Sequence, residues 1–284
     1  MSDGNDQTPA ELGPLRLDLL FAESPALDLD RLLALVRAYD ADLADARAQP
    51  LSEAETDERA LLLRVSGHTV LVHIIETPLP EVLVEPCIQL AHYEEDEKDR
   101  ARAHQAVVSV HYVGACDSPF VAHVVLASIA GALASLGPIA VVNLRARTSV
   151  PIGLLAKSHD RMIEYLHAMP SLLIYSGFAK YVVEGAEGVW MRTHGNAALG
   201  VPDFAHHARG HEDGQAIFAL FSDMMLYLRD GTAAMSPGDV AQIGEDQFTL
   251  LRAPSPDETF LDQDDGPLLV VEVLDQAQLA QLRN

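Results

Sequence analysis

The hydrophobic pattern of the N-terminal half alternates between the period of a strand and the period of a helix. Apolar and polar residues alternate over Leu15–Phe21, which predicts a half-buried strand. Over Leu29–Leu43 the apolar residues recur at helical spacing, and Asp28 or Asp30 provides a cap near the start. The later pattern predicts a polar connection at 48–56, strands at 60–65 and 69–76 joined by a turn at 66–68, a helix at 81–93, a solvated helix face or loop at 94–102, and a strand at 106–113.

The stretch Pro119–Leu144 contains no formally charged residue and is long enough to raise the question of a membrane span. Gly137 and Pro138 interrupt it, because a glycine followed by a proline ends a helix. The pattern therefore favours a helix over Phe120–Leu136 and a short strand over Ile139–Val142. We expect no membrane association.

The C-terminal half shows a mixed pattern. It predicts a helix over 154–169, two strand-like runs within 171–192, an amphipathic helix over 215–228, and strands at 240–243, 247–251 and 268–274. The order of elements predicts an α/β (α+β) fold of mixed β-sheets flanked by helices. We expect a flexible tail at 1–14 and two similar-sized halves packed together, an N-terminal half at 15–150 and a C-terminal half at 151–284.

The segment Arg192–Asp203 (RTHGNAALGVPD) is the most distinctive stretch of the chain. It lacks the Lys and the Ser or Thr of a phosphate-binding loop, so Gly195 and Gly200 are expected to permit tight turns or positive φ angles. Thr193 and Asp203 are expected to stabilise the loop, because such side chains accept hydrogen bonds from backbone N–H groups. Trp190 and Met191 are expected to fill the core.

Composition narrows the classes of function. The chain has 284 residues, 49% of them hydrophobic, and a formal net charge of -23, which is typical of a globular, strongly acidic protein. Binding to nucleic acid requires Lys and Arg to displace counterions from phosphates, so the charge argues against it. A basic protein partner is easier to accommodate, although excess carboxylates also simply maintain solubility.

Cys87 and Cys116 are the two cysteines, and both lie in apolar-leaning sequence. This usage indicates two buried, reduced thiols in a cytoplasmic protein. The first residues lack the basic and apolar regions of a secretory signal, which agrees with that expectation.

Two blocks of the sequence resemble the bacterial family known as domain of unknown function 4261. The first block comprises Val65–Val72, Thr77–Glu81 and Arg102–Val110, and the second comprises Arg192–Asp203 and the turn at Met235–Val240. The likeness extends over nearly the whole chain, but the shared features are glycines, prolines and apolar rhythm. It implies a cytosolic bacterial protein of unassigned activity, encoded among interbacterial toxin and immunity systems. The chain departs from the family pattern at its paired histidines, 206 and 207.

Asp203, His206, His207 and His211 form the strongest metal-like cluster. Imidazole and carboxylate groups are suitable ligands for zinc or another divalent ion, and His207 and His211 would share a helical face at a spacing of four. Gly210 weakens that helix, and the segment lacks the pattern of two histidines and a glutamate found in zinc proteases. An exposed polar loop is the alternative interpretation.

The first functional hypothesis is a non-enzymatic binding protein, such as an immunity protein that neutralises a basic toxin or effector. The sequence contains no complete catalytic motif of the serine or cysteine type. Two alternatives remain: a metal-dependent hydrolase or metal-binding protein that uses the histidine cluster, and a homo-oligomer paired through the helix at 215–228. The carboxylates expected to contact a basic partner are Glu94, Glu95, Asp96, Glu97, Asp262, Asp264 and Asp265.

Overall fold

A computed structural model describes residues 15–51, 59–185, 187–229, 234–243, 247–261 and 266–282. The expected tail at 1–14 lies outside these residues. The strands of the first sheet are β1 (Arg16–Phe21), β2 (Arg47–Leu51), β3 (Arg59–Val65), β4 (His68–Ile75), β5 (Ala106–Tyr112), β6 (Ala140–Asn143) and β7 (Thr148–Pro151). The strands of the second are β8 (Gly177–Tyr181), β9 (Val189–His194), β10 (Asp203–Ala208), β11 (Val240–Ile243), β12 (Gln247–Arg252) and β13 (Leu268–Leu274).

The helices occur in both halves of the chain. They are α1 (Leu29–Tyr39), α2 (Glu81–Gln89), α3 (Glu95–Arg102), α4 (Pro119–Ala132), α5 (Met162–Ala168), α6 (Ser171–Ile174), α7 (Gly214–Arg229) and α8 (Gln276–Leu282). Short 3-10 turns lie between several of these elements. The predicted α+β class with helix-flanked sheets is confirmed.

The first sheet is antiparallel throughout, in the order β2-β3-β4-β5-β1-β6-β7. Strand β1 lies inside the sheet, and helices cover it on both faces. Leu17 and Leu19 point into a core shared with α1 and α4, whereas Leu20 points into a second core with α2. Burial on both faces explains why the second half of β1 is a continuous apolar run.

Helix α4 is the central helix of the first core. All but two of its residues are buried, because the sheet and the helices α1 and α5 pack against it. By length and composition Pro119–Leu136 is apolar enough to cross a membrane, but 72% of this window is buried inside the protein. The helix passes into a 3-10 turn that ends at Gly137, whose φ of 79° places it in the left-handed region.

The second sheet is mixed, in the order β11-β12-β13-β10-β9-β8, with β10 and β13 parallel. Helix α7 covers one face, where Phe221 and Met224 pack against Phe204 of β10. The other face carries Trp190, which packs with Leu261 from the 3-10 turn Pro256–Leu261. The inward apolar face of α7 is therefore occupied within the chain, and the oligomer hypothesis stays a prediction.

The chain between the sheets packs with the first half. Leu155, Met162 and Leu166 join the core around α4, and so do Ile174 and Tyr175. Leu199 packs partly against the cores of both sheets. The cores of the two halves are therefore connected through the loop that follows β9.

Several predictions about local structure and burial were wrong or incomplete. Residues 47–51, expected in part as a connection, form the edge strand β2, where Pro50 is tolerated because an edge strand leaves N–H groups unpaired. The helix predicted over 154–169 is limited to Met162–Ala168, and 171–174 is helical. Strands β7 and β10 were not predicted. Cys116 is half-buried, whereas Cys87 is fully buried and burial raises its pKa to about 12.

Candidate functional site

Helices α2 and α3 cover the second face of the first sheet and carry most of the acidic run predicted from the sequence. Val84, Cys87 and Ile88 of α2 face inward, together with Ala101 of α3. This i, i+3, i+4 spacing leaves the opposite side of α2 exposed to solvent. We call this exposed side of both helices the α2–α3 surface. Its acidic residues are Glu81, Glu85, Glu94, Glu95, Asp96, Glu97 and Asp99, and its cations are Lys98, Arg100 and Arg102.

The acidic residues of α3 are placed where a helix favours them. Glu95, Asp96 and Glu97 occupy the first turn, and Arg100 and Arg102 occupy the last turn. Negative charge near the N-terminus and positive charge near the C-terminus both complement the helix dipole. A segment with little apolar content, in which only Ala101 is buried, therefore still forms a helix.

Two of the three cations on this surface, Lys98 and Arg102, form ion pairs with its carboxylates. Lys98 lies 2.8 Å from Glu95, and this hydrogen bond is the main cause that lowers the pKa of Glu95. Arg102 lies 3.0 Å from Glu85 on α2 and 2.9 Å from Asp99 on its own helix. Arg102 thus joins the two helices, while Glu94 and Asp96 stay exposed and have no ion pair within the described residues.

Two large apolar side chains lie on α2 next to Glu81 and Glu85. Val82 is 79% exposed and Leu83 is 50% exposed, both on the first turn of α2. Glu85 follows Val82 by one helical turn, so the apolar and acidic groups share one surface. The sequence prediction missed Val82 and Leu83, although the helical spacing of the inward residues Val84, Cys87 and Ile88 already implied that the preceding pair faces outward.

The second group of expected carboxylates, Asp262, Asp264 and Asp265, lies outside the described residues. In the first group, Glu94, Glu95 and Asp96 are exposed and Glu97 is half-buried.

The residues of the expected metal cluster do not come together. His206 and His207 are neighbours on strand β10, so their side chains point to opposite faces of the sheet. His206 Nδ1 lies 2.8 Å from the carbonyl oxygen of Val271, and His207 Nε2 lies 2.8 Å from that of Glu187. His211 belongs to a 3-10 turn, so the expected helical face with His207 does not exist. Among the described residues no group of three or more His, Cys, Asp or Glu side chains is arranged to hold a metal ion.

Asp203, the fourth member, belongs instead to a buried hydrogen-bond network. The Thr193 hydroxyl donates to Asp203 Oδ1 at 2.9 Å, and the Asn196 backbone N–H donates to the same oxygen at 3.2 Å. Arg192 and Asp203 form a buried ion pair, and Ser176 donates to the side-chain oxygen of Asn196. The predicted role of Thr193 and Asp203 in stabilising this loop is confirmed.

The glycines of the same loop adopt the conformation expected of them. Gly195 and Gly200 have φ angles of 84° and 77°, and a 3-10 turn lies between them. A Cβ atom on Gly195 would lie 2.8 Å from the Cα of Ala146, so the loop also packs closely on the first half. The segment Arg192–Asp203 is thus a closely packed junction between the two halves of the chain. Its glycines and buried polar residues are explained by this structural role.

A second buried polar group lies on the first sheet under α2 and α3. Asp18 of β1 pairs directly with Ser109 of β5, which in turn pairs with His73 of β4. The Ser109 hydroxyl donates a 2.5 Å hydrogen bond to Asp18 Oδ1, and Arg16 Nε donates to the same oxygen at 2.7 Å. Oδ2 has no hydrogen-bond partner among the described residues, and burial raises the pKa of Asp18.

Comparisons of the chain with protein-family models, with curated proteins and with solved structures give no significant match. The resemblance to the domain of unknown function 4261 family therefore stays a prediction. The functional interpretation depends on the surfaces and contacts described above.

Proposed function

We propose that this protein is a non-enzymatic binding protein whose α2–α3 surface binds a basic protein partner. The observation that carries the proposal is the exposure of Val82 and Leu83 beside a set of carboxylates. Protein interfaces typically combine a small apolar centre with a polar rim. An exposed valine and leucine next to acidic residues match that arrangement.

Charge supports a basic partner in particular. The surface carries seven carboxylates against three cations, and the net charge of the whole chain is -23. Such a field accelerates the encounter with a positively charged protein and repels acidic ones. Glu94 and Asp96, which have no ion pair within the described part of the chain, are available to contact its lysines and arginines.

The surface is also rigidly supported. Behind the exposed residues, Val84, Cys87 and Ile88 pack against Leu20, Val107 and Val142 of the first sheet. A surface held by a packed core loses little conformational entropy when a partner binds. With the family resemblance, this favours an immunity protein that neutralises a basic toxin or effector.

The test is an affinity capture from the source cells with matched variants. The first variant neutralises the acidic group (Glu94→Gln, Glu95→Gln, Asp96→Asn), and the second removes the apolar pair (Val82→Ser, Leu83→Ser). The control removes three exposed carboxylates of the second half (Glu184→Gln, Glu187→Gln, Asp223→Asn). Circular dichroism verifies that each variant folds.

We expect the wild type and the control to retain one basic protein. The amount retained should fall by about tenfold or more with either α2–α3 variant. Raising the salt concentration should weaken this retention for the wild type, because exposed charges are screened. Equal loss with the control variant would show that retention follows total charge and would refute the proposed surface.

A further inference from the structure

A cleft of about 530 Å³ lies away from the α2–α3 surface, where the two halves of the chain meet. Most of its lining comes from the start of α4, the loop Leu199–Pro202 after β9 and the last turn of α7. Ser171, Ala234 and Met235 complete it. Its volume lies within the range of about 300–1,000 Å³ that is usual for small-molecule sites. The distinctive segment Arg192–Asp203 therefore supplies one wall of a cavity.

Most of the residues that line the cleft are apolar, although polar atoms form nearly half of its exposed wall. The apolar residues include Phe120, Leu199, Val201, Met225, Leu228 and Met235. The polar side chains are few, which is the usual composition of a site that binds an organic molecule and orients it by one or two polar groups. Arg229 is the one cation among the described lining residues, and the exposed Asp117 is the one carboxylate.

The structure holds the Arg229 side chain in place. Its guanidinium carbon lies 4.7 Å from the centre of the Phe120 ring, and Nη1 donates to the carbonyl oxygen of His167 at 3.1 Å. The Phe120 ring is itself fixed by edge contacts with His167 and Tyr175, at 5.0 and 5.4 Å between ring centres. The remaining N–H groups of Arg229 have no protein acceptor in the described part of the chain.

A guanidinium that stacks on an aromatic ring, and whose other N–H groups have no acceptor among the described residues, is suited to a planar acidic group. We infer that this cleft binds a small organic monoanion, with its acidic group on Arg229 and its apolar body against Phe120, Val201 and Leu228. The ligand carries a single negative charge, because one cation balances it while Asp117 and the net charge of -23 repel further charge.

A pair of fluorescent probes with the same apolar body tests both parts of the inference. The anion is 1-anilinonaphthalene-8-sulfonate, and its uncharged counterpart is N-phenyl-1-naphthylamine. The variants are Arg229→Gln, which removes the cation, and Val201→Trp, which fills the cleft. The control is Arg209→Gln, which removes an equal charge from an exposed arginine of the second half.

We expect saturable binding of one sulfonate probe per chain. Arg229→Gln should weaken it by about tenfold or more, since hydrogen bonds to charged groups contribute that much, and should change the binding of the uncharged probe less than about twofold. Val201→Trp should weaken both probes, and Arg209→Gln neither. If Val201→Trp does not fold, Ala234→Trp at the exposed rim replaces it.

Several results would overturn the inference: no saturable binding of the sulfonate probe, equal effects of Arg229→Gln and Arg209→Gln, or unchanged binding when the cleft is filled. The readout is independent of the α2–α3 surface. The variants proposed for that surface should bind both probes like the wild type, so the two proposals fail separately.

Discussion

The guanidinium of Arg192 lies 4.0 Å from the carboxylate of Asp203 in the interior of the second half, with side chains only 2% and 4% exposed. Arg192 extends from β9 between Ala179 and Ala205, its directly paired neighbours on β8 and β10. These two small residues leave room for the large side chain. The pair therefore links β9 to β10 across the loop 195–202.

Removal of the acidic partner should destabilise the protein strongly. We expect Asp203→Ala to lower the free energy of unfolding by about 3–5 kcal/mol, because it removes a buried carboxylate that lies 4.0 Å from the Arg192 guanidinium. The same change also removes the acceptor of the Thr193 and Asn196 hydrogen bonds. Urea denaturation at neutral pH measures the change.

A double-mutant cycle distinguishes this pair from two independent sites. Arg192→Met combined with Asp203→Ala should cost less than the sum of the single changes, with a coupling of about 1–3 kcal/mol. Strict additivity would contradict the account of the pair.

The buried carboxyl of Asp18 should make stability depend on pH. Burial raises its pKa above the value in the unfolded chain, so the folded state binds the proton more tightly. Its contribution is present below the unfolded pKa and is lost as the pH rises through the folded pKa. We expect the free energy of unfolding of Asp18→Asn, relative to that of the wild type, to increase by about 1–3 kcal/mol between pH 4 and pH 7. This is the usual penalty for a buried polar atom without a partner, about 1–3 kcal/mol.

Ser109→Ala provides the comparison for this experiment. It removes the hydroxyl that donates to Asp18 Oδ1 and should therefore be more destabilising at pH 7 than at pH 4. Unfolding curves at both pH values measure the two variants together. From pH 4 to pH 7, the stability relative to the wild type should increase for Asp18→Asn and decrease for Ser109→Ala. A change in the same direction for both variants would contradict the role given to Asp18.

Gly131 should tolerate no side chain. A Cβ atom there would lie 2.3 Å from the carbonyl oxygen of Leu155 and 2.4 Å from Tyr39 Oη, two groups that form a 2.6 Å hydrogen bond. We expect Gly131→Ala to lower stability by about 1–3 kcal/mol or more through overpacking. Gly153→Ala, where a Cβ atom meets nothing within 4 Å, is the matched control in thermal unfolding and should be nearly neutral.

Sequence patterns predicted elements well where one physical signal dominated. The Ser66–Gly67 turn between β3 and β4 and the apolar face of α7 follow directly from local periodicity and turn chemistry. Strand β10 did not follow, because its His206–His207 pair breaks the alternation expected of a strand. Strand β2 was taken for a connection because of Pro50, whose tolerance depends on the edge position of the strand.

Only some of the contacts between buried polar groups could be predicted from the sequence. Thr193 and Asp203 are ten residues apart, at the two ends of one loop, so their interaction was predictable from the sequence. Asp18 and Ser109 are 91 residues apart, and they meet only because β1 inserts between β5 and β6. One sequence contains no signal for that order of strands. The exposure of Val82 and Leu83 could have been predicted from helical spacing. The sequence prediction considered only the carboxylates of α3 as contacts for a partner.

The central claim is tested most directly by site-specific photo-crosslinking in the source cells. A photoreactive phenylalanine analogue at position 82, on the α2–α3 surface, is compared with the same residue at position 182, where Val182 is 68% exposed in the second half. We predict a discrete crosslinked adduct with a basic protein at position 82 and none at position 182. An adduct at 182 alone, an acidic partner at 82, or no adduct at either position would contradict the proposed function.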